Sequence, residues 1–120
     1  MQNAAMAYSQ TAKTTRDPRE LESSLLLKAA SQMQNIKDNW DTEEKNAEGV
    51  MLFNRKLWTV FVTSVTSDDN PLPLEIKNNI ANLAGFIFSQ TLSFQARPTP
   101  EKLSSLITIN REIAAGLSDT

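Results

Sequence analysis

Two asparagines, rather than any acid or imidazole, are the polar residues of this sequence whose placement needs a chemical explanation. Asn54 falls within an apolar stripe of helical spacing, and Asn110 does the same near the end of the chain. A buried amide left without a partner costs roughly 1–3 kcal/mol. Either these two satisfy each other and neighbouring carbonyls, or they face the backbone of a bound partner. Phe53, Val60, Phe86 and Ile109 lie off the main apolar stripes of their segments. They are either ordinary core or the flanks of a groove that accepts another helix.

Catalysis finds few candidates. The sequence has no histidine and no cysteine, which removes the usual zinc and iron–sulfur ligands, disulfides and Ser/His or Cys/His nucleophiles. Its three glycines, Gly49, Gly85 and Gly116, write neither a phosphate-binding loop nor a dinucleotide fingerprint. Glu43, Glu44 and Glu48 are the densest acids; they read as a solvated first helical turn favoured by the helix dipole, not as a carboxylate-only metal site. No cofactor, metal or small-molecule substrate is expected, and an interaction module ranks ahead of any enzyme.

Charge narrows the partners. The formal net charge is -2 over 120 residues. Lys13, Arg16 and Arg19 are interleaved with Asp17, Glu20 and Glu22, which disfavours a nucleic-acid surface. The longest apolar runs, such as Leu83 to Phe88, are about six residues, against roughly 20 for a membrane span. No leader pattern precedes Tyr8, so a cytoplasmic location is expected.

The elements that would position these residues are helices. Residues 1–16 read as a flexible tail anchored at most by Met6 and Tyr8, and residues 17–120 as a single helical-bundle domain. Asp17, Pro18 and Glu20 give an N-cap, a proline at N1 and a capping-box acid. The first apolar face runs through Leu21, Leu25, Ala29, Met33, Ile36 and Trp40. Thr42 is the expected cap of a second helix whose stripe holds Val50, Met51, Asn54, Leu57, Trp58, Phe61, Val62 and Val65. Its β-branched end, Val60 to Thr66, could be strand, but the 3.6-residue period favours helix. Asp68 to Pro73 is a break. A third helix from about Leu74 carries Ile76, Ile80, Leu83, Ala84, Ile87 and Leu92 in register. After Arg97 to Pro100, with Thr99 as cap, a fourth helix aligns Leu103, Leu106, Ile107, Asn110, Ile113, Ala114 and Leu117, with Gly116 placed to end it. The fold class is all-α, a small bundle of about four helices.

Taken in order, these segments resemble the FlaF family of flagellar biosynthesis regulators of alphaproteobacteria. The resemblance rests on Tyr8, on Pro18-Arg19-Glu20 with Glu22, and on Phe53-Asn54-Arg55-Lys56-Leu57-Trp58. It continues through Asn70-Pro71-Leu72-Pro73 and through Leu106 to Ile113, leading to Gly116-Leu117. The Arg97 to Pro100 connection departs from the family pattern.

The resemblance implies a non-enzymatic cytoplasmic protein that acts on flagellin after transcription, as a secretion chaperone supporting flagellin synthesis and filament assembly. Its implied partners are the terminal helices of flagellin and a companion regulator, FlbT. A groove from the second and third helices would hold those helices, with Phe53, Trp58 and Phe86 as anchors, Val60 and Ile109 on the flanks, and Asn54 and Asn110 setting register. The alternative is control of flagellin translation through FlbT, the message or the translation machinery.

Overall fold

A computed structural model of the chain describes residues 18–118. The tail assigned to residues 1–16, including Met6 and Tyr8, and the Asp17 cap lie outside the described residues, as do 119 and 120. Four long helices form the architecture: α1 (Pro18–Asp38), α2 (Ala47–Thr66), α3 (Leu74–Ala96) and α4 (Leu103–Ser118). There is no strand among the described residues.

The β-branched end of α2 is helical to Thr66. The hydroxyls of Thr59, Thr63 and Thr66 donate to the carbonyls of Arg55, Thr59 and Val62, four residues back, at 2.6–2.9 Å. Each threonine thus satisfies its hydroxyl inside the helix.

The link from α1 to α2 differs from expectation. α1 stops at Asp38, and Trp40 belongs to a separate helical turn, Trp40–Glu43, followed by a 3₁₀ turn, Glu44–Asn46. The cause is Asn39, whose Nδ2 donates to both the carbonyl and the Oδ1 of Asn35. This local amide network competes with continued helix. Thr42 is not a cap: its hydroxyl donates back to the Asn39 carbonyl at 3.2 Å. Trp40 is half-buried, with its ring edge-on to Phe94 at 6.0 Å.

Asn70 organises the loop between α2 and α3. Its Oδ1 accepts from the Leu72 N–H at 3.0 Å, and its Nδ2 donates to the Ser64 carbonyl near the end of α2. Lys77 Nζ reaches the Ser67 carbonyl at 2.7 Å. Between α3 and α4, Lys102 Nζ donates to the carbonyls of Ser93 and Arg97 at 3.1 and 2.8 Å, which closes the C-terminal end of α3. Thr99 occupies the N-cap position but its side chain makes no capping bond; its carbonyl accepts from the Lys102 N–H instead. Gly116 does not end α4, which continues through it in helical conformation to Ser118.

α1 lies antiparallel to α4, and this pair shares the most extensive interface. Ser23 near the start of α1 donates to the Ala114 carbonyl at 2.9 Å and pairs with the Ser118 hydroxyl near the end of α4. α2 packs on α1 and on α3, whereas α3 and α4 meet little beyond their connecting loop. The spatial order is therefore α4, α1, α2, α3. Around Trp58, Phe61, Leu26, Met33 and Leu106 the interior is closed to solvent.

Two residues assigned to the core face of α3 are on the surface. Leu92 is 63% exposed and Ile76 is 42% exposed. The buried positions are Ile80, Ala84, Ile87, Thr91 and Phe94, which keep steps of three and four. Thr91 takes the core place because its hydroxyl donates to the Ile87 carbonyl at 2.7 Å, so a polar residue enters without a free donor.

Candidate partner-binding surface

Asn54, Trp58 and Asn110 are brought together, and all three are fully buried. The Trp58 indole N–H donates to Asn110 Oδ1 at 2.9 Å. Asn110 Nδ2 donates to Asn54 Oδ1 at 2.8 Å and to the Leu26 carbonyl at 3.3 Å. One amide on α4 thereby links α1 and α2. Asn54 Nδ2 finds no acceptor among the described residues. These three side chains meet one another inside the bundle, and none of them is open to solvent.

The other four residues singled out in the sequence are distributed around the bundle. Phe53 is half-buried on the side of α2 that faces α1, with the Lys28 ammonium 5.7 Å from its ring centroid. Val60 is half-buried on α2, and Ile109 is half-buried on α4 against the core. Phe86 alone is a large apolar side chain open to solvent, at 45% exposure.

Phe86 lies on the helix that carries most of the exposed apolar surface. Among the described residues, Leu74, Ile76, Phe86 and Leu92 of α3 are exposed, against Leu27 of α1 and Leu52 of α2. After Lys77, α3 has no charged residue up to Arg97. At 100° per residue, the arc of α3 opposite its buried stripe runs from Leu92 through Gly85, Ser89, Asn82 and Ser93 to Phe86, all exposed. Two bulky apolar side chains thus border a strip of small, uncharged ones. A Cβ at Gly85 would meet nothing within 4 Å, so internal packing does not require glycine there. An uncharged surface with small residues at its centre suits close approach of a second helix.

Sequence reasoning placed Leu92 in the core and left Gly85 and the strip unread. The signal that finds them is the run without charge from Asn78 to Ala96, which a helix exposed on one side does not need.

No group of three or more Asp or Glu side chains that could hold a metal ion gathers among the described residues. No helix of the described residues is long and apolar enough to cross a membrane. A family model described as flagellar protein FlaF matches residues 4–117, nearly the whole chain. The chain belongs to the FlaF family. Membership gives it a role in flagellum biogenesis. No curated protein and no solved structure matches it. The segments that carry the FlaF resemblance are largely architectural here: Phe53 to Trp58 holds the interior network, Asn70 to Pro73 forms the α2–α3 loop, and Leu106 to Ile113 supplies the α4 face with Asn110.

Proposed function

We propose that this FlaF-family chain is a non-enzymatic, flagellin-binding chaperone that holds a terminal amphipathic helix of flagellin along the outer face of α3 and so supports flagellin synthesis and filament assembly. The observation that carries this reading is the uncharged surface bordered by Phe86 and Leu92. Exposed aromatic and leucine side chains on one helix face are the anchors a helical partner uses, and desolvated anchors of this kind dominate binding energy. The small residues between them let two helix backbones approach closely. This moves the groove from the second and third helices to the third helix alone, with Phe86 retained as an anchor and Leu92 added.

The test is size-exclusion chromatography with light scattering on the protein mixed with monomeric flagellin. A complex that persists in moderate salt is expected, because apolar burial is not screened as surface ion pairs are. Separate elution of the two folded proteins would refute the chaperone reading and turn attention to FlbT or the flagellin message as the partner.

A further inference from the structure

α3 joins the bundle along one side: it packs on α2 and meets α4 little beyond their connecting loop. Ser89 stands at the centre of its exposed outer arc. At 100° and 1.5 Å per residue, Phe86 and Ser93 lie about 60° and 40° to one side of Ser89. Phe86 is about 4.5 Å before it along the axis and Ser93 about 6 Å after it. Leu92 and Gly85 lie at the same angles to the other side, with Gly85 before and Leu92 after. Each side of the arc thus carries one bulky apolar residue at one end and one small residue at the other, all exposed. A two-fold axis that reverses the helix direction exchanges the ends and keeps the sides. It sets Phe86 of one copy over Ser93 of the other, and Leu92 over Gly85, with Ser89 facing Ser89. The face is complementary to itself, as an interface between identical chains must be.

Charge selects the direction. No charged residue occurs from Asn78 to Ala96, so two copies of an acidic chain meet here without local repulsion. A parallel pair also puts bulky over small, but it sets Glu75 beside Glu75 and Arg97 beside Arg97. The antiparallel pair turns exposed Glu75 of each copy toward exposed Arg97 of the other and opposes the helix dipoles. Area sets the strength. The 23 residues of α3 span about 34 Å, and a contact strip about 10 Å wide buries roughly 700 Å² over both copies. A lasting dimer needs upward of about 1,000 Å², so this one is weak and exchangeable.

We propose that the outer face of α3 is a self-association surface. A second copy of this chain docks there antiparallel about Ser89 and covers the face until a flagellin helix displaces it. Displacement by flagellin rests on the function proposed above; self-association does not.

Sedimentation equilibrium of the full chain alone tests the dimer. The mass should be 13.4 kDa below about 10 μM and rise toward twice that at several hundred micromolar, on the order of the affinity a small interface gives. Gly85→Arg should stay monomeric throughout, with an unchanged unfolding curve. Thiol crosslinking reads the register, because the chain has no cysteine of its own. Ser89→Cys should link to itself. Asn82→Cys should link to Ala96→Cys in an equimolar mixture and not to itself, and added flagellin should lower each yield. A chain that stays monomeric overturns the proposal without touching the flagellin test. A dimer that Gly85→Arg leaves intact overturns it too, as does one in which Asn82→Cys links to itself. Flagellin that binds while the crosslink yield holds overturns the displacement, whereas flagellin that fails to bind the dilute monomer counts against the chaperone reading alone.

Discussion

The indole nitrogen of Trp58 on α2 donates to Asn110 Oδ1 on α4 across 2.9 Å, although the two helices occupy positions separated by α1 in the packing order. The same asparagine donates to the Leu26 carbonyl of α1 and to Asn54 of α2. Its carbonyl and amino group are both used, and three helices are pinned in one register. Shape alone would let apolar helices slide; a buried amide with fixed partners does not.

The two asparagines should therefore differ sharply under the same substitution. Asn110→Leu leaves the Trp58 N–H without an acceptor and removes both donations of Asn110. We expect a loss of about 3 kcal/mol or more. Asn54→Leu removes one acceptor and also a buried donor that already lacks a partner. Its cost should stay below about 1.5 kcal/mol. Urea unfolding of the two variants measures both, and equal losses would show that the network is not centred on Asn110.

How far the sequence discloses this arrangement depends on the helix. In α1, α2 and α4 the apolar faces stand against charged or polar ones, so a period of 3.6 identifies the buried stripe, and both asparagines fall inside it. α3 is uncharged through most of its length and apolar on several sides. Periodicity then cannot choose a face, and Leu92 is taken for core where Thr91 and Phe94 are buried. The choice between them is made by neighbours: Trp40 meets the ring of Phe94, and the Ile87 carbonyl accepts the Thr91 hydroxyl. The end of α1 is hidden for a similar reason, since an amide pair between Asn35 and Asn39 has no hydropathy signature.

The two tryptophans offer a spectroscopic reading of the core. Trp58 is fully buried, and Trp40 is half-buried at the α1–α2 link. Trp40→Phe leaves only Trp58, whose emission should be blue-shifted and resistant to iodide. Trp58→Phe leaves Trp40, whose emission should be red-shifted and quenchable. Similar quenching of both variants would contradict this placement.

Asn70 should matter for stability although it lies in a loop. Asn70→Ala removes the acceptor for the Leu72 N–H and the donor to the Ser64 carbonyl. Local side-chain to backbone bonds of this kind contribute about 1 kcal/mol. Thermal unfolding should show a drop of several degrees, with helical content at room temperature unchanged. An unaltered midpoint would mean that the two prolines at 71 and 73 hold the loop without it.

The outer face of α3 gives the clearest separation between folding and binding. Phe86 and Leu92 are exposed, so truncating either to alanine should change unfolding free energy by no more than about 0.5 kcal/mol. Gly85→Arg should also fold, because a side chain there points into open space. If flagellin is held on this face, Phe86→Ala and Leu92→Ala should each weaken binding tenfold or more, equivalent to about 1.4 kcal/mol. Gly85→Arg should weaken it further by placing a bulky charge at the closest approach of the two helices. Calorimetric titration with flagellin, beside unfolding curves of each variant, measures both quantities. Retained affinity in all three, with normal folding, would move the partner site off α3. Lost affinity that tracks lost stability would show instead that this face holds the bundle together.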